Sequence, residues 1–343
     1  MKPRLLALKS AVPPYALDQS DVSVRAAQLF QGRKDITRLM PVFENTGIER
    51  RYSCVPIDWY SQRHGWADRT NLYVENAVVL FEKITLDLLA QAKLTRADID
   101  AIVVSSTTGI ATPSLDALVV EKMGLRRDIR RLPIFGLGCA GGVVGLSRAA
   151  DMAKANPGSR VLFLTVELCA LTFRRDDISK SNIVATALFG DGAAGAIVST
   201  DGTGPTLGPG GEHTWPNSLD IMGWEVEDDG LKARFSQNIP GLVASDFRKI
   251  LHTFLQKSDL KLNDIDGFAC HPGGAKVLDA LEDALAIDRG ALTESRSVLR
   301  DYGNMSAVTA LFVLERMNWG HVRTLLTALG PGFSAVFLMV GDA

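Results

Sequence analysis

Hydrophobic residues along this chain fall into short, nearly continuous runs that end at glycine or acidic turns. These alternate with longer stretches in which apolar positions recur at helical spacing. The first run, near Leu5 to Leu8, reads as a strand closed by the Pro13-Pro14 turn, and two helical stretches follow it. Val74, Ala77, Val78, Phe81, Ile84, Leu88 and Leu89 mark one face of a long amphipathic helix over Tyr73 to Ala92, a packing element rather than a site. Leu132 to Phe135 reads as a strand ending at Gly136 and Gly138. Val143, Val144, Leu146, Ala149, Ala150 and Met152 then predict a helix reaching about Ala155.

The succession comes round twice. Asp98-Ile-Asp-Ala-Ile-Val-Val-Ser105 matches Asp264-Ile-Asp-Gly-Phe-Ala-Cys-His271, an acidic turn feeding an apolar strand. At nearly the same separation, the Gly136–Leu146 turn and helix match Asp301–Leu311, and Val161–Val166 matches Thr324–Leu329. The closing strands 193–199 and 333–340 also correspond in kind. Strands alternating with helices in two similar halves predict an α/β fold, with two sheets packed through shared helices about a pseudo-twofold axis. The division expected is an N-terminal half, 1–204, and a C-terminal half, 205–343.

Composition adds bounds rather than detail. With 343 residues, 46% hydrophobic and 22% charged, the chain can bury a large core. A formal charge of −2 with both signs interspersed does not suggest nucleic acid as a partner. Cys54, Cys139, Cys169 and Cys270 lack metal-like spacing, and a reducing cytoplasm is the expected compartment. The apolar run after Met1 breaks at Lys9, too early for a secretion signal, and no stretch is long enough to predict a membrane span.

The candidate chemistry sits at the matching turns. Cys139 is expected at the N-terminus of a helix, where the dipole and free N–H groups favour thiolate. His271 ends a strand of the second half, and Asn304 falls at the turn corresponding to Cys139. A thiol, an imidazole and a carboxamide so placed supply a nucleophile, a proton acceptor and two donors for one oxygen. Each also has a structural reading: a small buried thiol at a junction, a satisfied core histidine, a helix cap. Lys34, Arg38, Arg50 and Arg51 could meet phosphates, though such a run is more often a solvated face. His64, with Trp59, Tyr60 and Trp66, reads as a structural aromatic cluster; His213, His252 and His321 read as surface residues, and Cys54 and Cys270 as inert thiols.

Four motifs together resemble the type III polyketide synthases related to chalcone synthase, within the thiolase-like condensing enzymes. Gly138-Cys139-Ala140-Gly141-Gly142 is similar to the family's nucleophile motif, and Ala269-Cys270-His271-Pro272-Gly273-Gly274 to its histidine motif. Tyr302-Gly303-Asn304-Met305-Ser306 is similar to its asparagine motif, and Gly330-Pro331-Gly332-Phe333 to its cavity-shaping loop. The resemblance covers nearly the whole chain and implies a layered αβαβα thiolase-like fold. It also implies Cys139, His271 and Asn304 as catalytic groups and Phe189 and Phe235 as gatekeepers between a coenzyme A tunnel and the cavity. Thr107, Glu167 and Ser306 resemble a polar network used in cyclisation. Cys169, Ala170 and Thr172 lie in a cavity-wall stretch where some bacterial members open a tunnel for long acyl chains. Plant members carry several basic residues in the early coenzyme A region, whereas this chain has Arg38 with Pro41 and Asn45 at the neighbouring positions.

The reaction so implied is decarboxylative condensation of malonyl-coenzyme A onto an acyl-coenzyme A starter loaded on Cys139, repeated and then closed to a pyrone or resorcinol. It uses no cofactor beyond the coenzyme A thioesters. Cys139 is expected to ionise with a pKa lowered to roughly 6, about thirty times more thiolate at pH 7 than a free cysteine gives. A homodimer is implied, with Thr112 of the Ile110-Ala-Thr-Pro-Ser114 loop reaching the partner's cavity. Two other readings stand beside it: a β-ketoacyl-acyl-carrier-protein synthase III-like enzyme making one condensation, and a scaffold whose thiol is only structural.

Overall fold

In the computed structural model of the chain, residues 1–236, 238–317 and 322–341 are described. The strands are β1 Arg4–Ala11, β2 Tyr15–Asp18, β3 Arg50–Ser53, β4 Ala101–Ser106, β5 Arg130–Phe135, β6 Val161–Leu168, β7 Asp191–Ser199, β8 Leu207–Thr214, β9 Met222–Glu227, β10 Gly230–Phe235, β11 Gly267–Cys270, β12 Thr324–Gly330 and β13 Ser334–Val340. The helices are α1 Gln19–Leu29, α2 Ile36–Leu39, α3 Pro41–Asn45, α4 Trp66–Ala92, α5 Leu115–Met123, α6 Gly141–Ala155, α7 Lys180–Leu188, α8 Ile239–Leu242, α9 Arg248–Gln256, α10 Ala275–Leu285, α11 Thr293–Tyr302 and α12 Thr309–Arg316.

Two sheets carry the repeat. The first runs β1-β7-β6-β4-β5 and the second β8-β13-β12-β11. In each, two strands pair in parallel, β4 with β6 and β11 with β12; β5 also pairs in parallel with β4 at the edge of the first sheet, and the remaining pairs are antiparallel. Among the described residues β5 has no counterpart. In the second half α11 leads into the Asn304 turn where the first half uses a strand.

Every residue of β6, β7 and β12 is buried. Helices cover both faces of each sheet, so these strands read as continuous apolar runs rather than alternating ones. α6 and α12 fill the layer between the sheets; Val143, Leu146 and Ala149 of α6 meet Leu311 and Leu314 of α12 in one cluster with the inner faces of both sheets. α4 and α5 close the first sheet from outside, through Phe81, Ile84 and Leu88. α9 and α10 close the second, where Phe254 stacks on Phe337 with ring centroids 5.1 Å apart. This is the expected five-layer αβαβα arrangement.

Two boundaries differ from the apolar pattern. β1 extends through Ala11 because its backbone pairs with β7 from Arg4 opposite Ser199 to Ala11 opposite Ala193. α4 starts at Trp66 rather than Tyr73: its first turns are polar, and Asp68 there suits the positive end of the helix. The helix ends at Lys93 in the left-handed region.

The halves meet most closely beside Cys139. A Cβ on Gly142 would stand 2.0 Å from the Ala307 carbonyl oxygen, so the start of α6 and the turn entering α12 are in backbone contact. The duplicated turns therefore face one another, as the repeat predicts.

Candidate active site

Cys139 sits in a short 3-10 turn, Gly138–Ala140, that feeds directly into α6. Gly138 has φ +47°, and a Cβ there would lie 2.7 Å from the ring of Pro331. The position thus requires glycine both for conformation and for room. The Gly138 N–H donates to Thr107 Oγ1 at 3.0 Å, fixing the turn from behind. The Cys139 thiol meets Ser306 Oγ at 3.6 Å. Ser306 is itself held at φ +49°, a left-handed conformation costly for a side-chain-bearing residue, with its N–H donating to Asn304 Oδ1 at 2.8 Å.

His271 follows β11. Its backbone N–H donates to the Thr327 carbonyl at 2.8 Å, continuing the β11–β12 pairing by one residue. The side chain is 4% exposed, and both ring nitrogens are without a hydrogen-bond partner among the described residues. A satisfied core histidine would have one, and this ring instead lines the cavity. Asn304 turns its Nδ2 toward the Gly273 carbonyl at 3.3 Å, a weak bond that leaves the amide free to serve another acceptor. Its cap-like bond to Ser306 and its place in the cavity coexist.

Cys139, His271, Asn304 and Ser306 line one cavity of about 680 Å³. Burial pushes the Cys139 thiol up to about 12, against the smaller lowering effect of Ser306, and pulls the His271 imidazole down to about 3. This direction is opposite to the lowering expected from the helix terminus and the imidazole. Neither group has a charged partner, and the enclosed site disfavours each ion alone. Burial thus favours thiol and neutral imidazole over either ion alone, and passage of one proton from Cys139 to His271 changes no net charge.

The residues expected as the gate pack as an aromatic group. Phe189 packs against Phe235 and Trp224, each at 5.5 Å between ring centroids, and all three line the cavity. Nothing in the sequence pattern singles out Trp224. It lies on β9 of the β9–β10 hairpin, directly across from Ala233. Phe189 ends α7, whose last carbonyls are met by Arg51: its guanidinium donates to Thr186 at 2.5 Å, Ala187 at 2.9 Å and Phe189 at 3.1 Å, and also to Gln19 Oε1. Arg51 is only 3% exposed, so the solvated-face reading fails for it. Arg50 does lie outside, paired with Asp18.

Thr107 and Glu167 stand behind Cys139 and do not line the cavity. Glu167 Oε2 accepts from the N–H groups of Thr107 and Thr108 and from Thr108 Oγ1, while Oε1 has no partner. Burial outweighs these bonds and raises its carboxyl to about 7. Cys169 does not line the main cavity. With Ala170 and Thr172 it walls a second, narrow cavity of about 60 Å³, and Phe189 forms the partition between the two spaces. Thr172 Oγ1 donates to the Cys169 carbonyl at 2.6 Å.

Pro331 lines the main cavity, while Gly330 packs against the Ala140 turn and Phe333 is buried on Trp215. A Cβ on Gly332 would meet only side-chain atoms at ordinary contact distance. Arg38 lines the cavity, as the resemblance implies. Thr112, in the loop before α5, is exposed and outside this cavity. His64 stacks on Trp59 at 3.7 Å between centroids, in keeping with a structural role. His252 is exposed, but His213 is half-buried on β8 against Trp215, and His321 lies outside the described residues. Cys54 and Cys270 are buried and their thiols pushed far up. Among the described residues no three His, Cys, Asp or Glu side chains converge to hold a metal ion.

Comparison with known proteins agrees with this geometry. Residues 2–202 match the model of the chalcone and stilbene synthases' N-terminal domain, and residues 211–340 that of their C-terminal domain. The chain is 36% identical to a putative chalcone synthase of Bacillus subtilis (strain 168), covering 98% of this chain and 97% of that protein. It is also 36% identical to a 1,3,6,8-tetrahydroxynaphthalene synthase of Streptomyces peucetius subsp. caesius, covering 97% and 92%. The alpha-pyrone synthesis polyketide synthase-like Pks18 of Mycobacterium tuberculosis is 29% identical over 90% of this chain and 82% of its own. The crystal structure of the Streptomyces coelicolor A3(2) 1,3,6,8-tetrahydroxynaphthalene synthase, a bacterial type III polyketide synthase, superposes with a TM-score of 0.94. It is 27% identical, with 99% of each chain covered.

Proposed function

This chain belongs to the chalcone and stilbene synthase family and is a type III polyketide synthase, and on that premise we propose that Cys139, His271 and Asn304 are its catalytic residues. The observation that carries the assignment is the single cavity they share, with a thiol, an unpartnered imidazole and a weakly engaged carboxamide converging on it.

The starter thioester approaches the Cys139 sulfur, whose proton passes to the His271 imidazole as the carbon–sulfur bond forms. Departing coenzyme A takes that proton back and leaves an acyl-Cys139 thioester and a neutral imidazole. Malonyl-coenzyme A then loses CO₂, and negative charge develops on its thioester oxygen. The His271 ring N–H and Asn304 Nδ2–H are donors for that oxygen, already dehydrated by burial and so needing little reorganisation. The enolate carbon attacks the acyl-Cys139 carbonyl, and Sγ leaves as thiolate, which takes a proton from solvent before the resting thiol is restored. Phe189, Phe235 and Trp224 exclude water that would hydrolyse the intermediate.

A single-condensation enzyme of the β-ketoacyl-acyl-carrier-protein synthase III type is not favoured, since both family domains match chalcone and stilbene synthases. For the starter we favour medium to long fatty acyl-coenzyme A giving alkylpyrones or alkylresorcinols. The relative named for alpha-pyrone synthesis and the apolar cavity behind Cys169 support this. The relatives named for 1,3,6,8-tetrahydroxynaphthalene supply a second reading, a polyhydroxynaphthalene product. The gap between the two matched domains supports a division of the chain at 204/205. No helix among the described residues is long and apolar enough to cross a membrane; a cytoplasmic enzyme needing nothing beyond coenzyme A thioesters is the reading offered.

The homodimer reading is supported by β5. Among the described residues this edge strand pairs only with β4, and its Phe135 is 62% exposed, as is Ile110 of the Thr112 loop at 50%. An unpaired strand edge with apolar side chains is a surface that a second copy can cover. The deciding experiment is incubation with acyl-coenzyme A and malonyl-coenzyme A and mass analysis of the products. Release of CO₂ with products longer by several two-carbon units supports the reading; wild-type-like product from Cys139→Ala sinks it.

A further inference from the structure

The main cavity carries three cations, Arg38, Lys180 and Lys276, and no Asp or Glu among the described residues that line it. None of the three makes an ion pair with a described residue. Asp35, close enough to Arg38 to feel its charge, is held by Arg33 instead.

The two lysines occupy unfavourable places. Lys180 is the first residue of α7 and Lys276 the second of α10, so each sits at the end of a helix whose dipole opposes positive charge. Neither helix has an acidic residue in its first turn to offset this. A local rule broken twice around one cavity is explained by an anion that both the lysines and the helix ends attract. Gly273, Gly274 and Ala275 form the adjoining wall, which brings the free N–H groups at the start of α10 to the cavity as well. His271, buried with both ring nitrogens unpartnered, lies in the same cavity. One ligand with an anionic end and a thioester end would satisfy both.

We propose that Lys180 and Lys276, together with Arg38, read the phosphates of the coenzyme A carrier in this chain. The inference rests on the reading under Proposed function and names the residues that set its preference for a phosphorylated carrier. Pro41 and Asn45 line the cavity on the same side as Arg38 and carry no charge. Two of the three cations on this cavity therefore come from the starts of α7 and α10. Lysine is suited to this as a compact charge on a flexible stem, able to follow a phosphate as the pantetheine arm moves in and out.

The test compares malonyl-coenzyme A with malonyl-N-acetylcysteamine, which keeps the thioester and lacks every phosphate, in the wild type, Lys180→Gln, Lys276→Gln and the double variant. The measured quantity is the ratio of kcat/KM for the first substrate over the second. The expected ratio falls about tenfold for each lysine removed and about a hundredfold for both, through KM, a factor of ten corresponding to about 1.4 kcal/mol. Added salt should reduce the wild-type ratio and have less effect on the double variant. An unchanged ratio in the double variant overturns the proposal, as does an equal loss on both substrates. If the wild type condenses neither substrate, the underlying polyketide synthase reading of the cavity is what fails.

Discussion

Phe189 and Asn304 are tied backbone to backbone: the Asn304 N–H donates to the Leu188 carbonyl at 2.8 Å, and the Gly190 N–H donates to the Asn304 carbonyl at 3.1 Å. The bridge ties the backbone of Phe189, the proposed gate, to that of Asn304, the proposed oxyanion donor, and Gly190 lies within it. A Cβ on Gly190 would lie 2.5 Å from the Tyr302 carbonyl and 3.3 Å from Arg51 Cβ. Gly190→Ala is expected to push the two strands of this bridge apart, costing about 1–3 kcal/mol of stability. Malonyl-coenzyme A decarboxylation should fall at least tenfold. Calorimetry and CO₂ release check the two effects separately.

The neutral Cys139–His271 pair predicts a particular pH profile. Proton passage from one to the other changes no net charge, so acyl loading measured as kcat/KM should stay flat between about pH 5 and 9. A sigmoidal rise centred near pH 6 would show a thiol ionising by itself. Removing the acceptor in His271→Ala leaves a thiol that burial holds near 12, and loading should drop roughly a thousandfold.

Glu167 makes stability depend on pH. Its folded-state pKa of about 7 lies above the ordinary 4.5. The folded form thus binds the proton more tightly, and the resulting stabilisation is complete below about 4.5 and lost as pH rises through 7. The size is on the order of 3 kcal/mol. Glu167→Gln keeps an oxygen for the three donors at Oε2 and places an amide nitrogen at the unpartnered position, so urea unfolding should show a shallower fall between pH 5 and 8. An unaltered slope would mean Glu167 is ionised throughout.

Cys169→Phe should fill the narrow cavity behind the gate. Each starter methylene buried there is worth roughly 0.8 kcal/mol, so losing the space should lower the kcat/KM ratio of long over short acyl starters at least tenfold. Short starters should still load, because Cys139 and His271 are untouched. A starter profile identical to wild type would mean that acyl chains do not pass Cys169.

Phe135→Arg places a charge on the exposed edge of β5. If that edge joins two copies, light scattering at micromolar concentration should show a shift from dimer toward monomer. A fully active wild-type monomer under the same conditions would refute the homodimer outright.

The repeat was legible because both halves keep the acidic turn before the parallel strand pair, and the turn residues Cys139 and Asn304 could be placed facing one another from that alone. His271 was legible as a strand end, though not as an unpartnered ring, which depends on what does not surround it. Arg51 misled because a charged residue in a charged run reads as solvated. Its burial follows from the bare carbonyls at the end of α7, more than a hundred residues away in sequence. Lys180 and Lys276 carry no motif. Only folding shows that two helix starts border one cavity. Cys169 reads as cavity wall from its motif, but which of two spaces it lines depends on the Phe189 ring, which no local pattern fixes.

The contact between Gly142 and the Ala307 carbonyl determines where the chain can diversify. At that point the duplicated halves touch without room for a single methyl group, which fixes their relative position and, with it, that of the reacting groups. Novelty must come from segments that border the reaction space without taking part in that contact: the β9–β10 hairpin, the wall at Cys169, the lysine-bearing helix starts. A lineage of such enzymes could change what it builds many times over while the way it makes each carbon–carbon bond stayed the same.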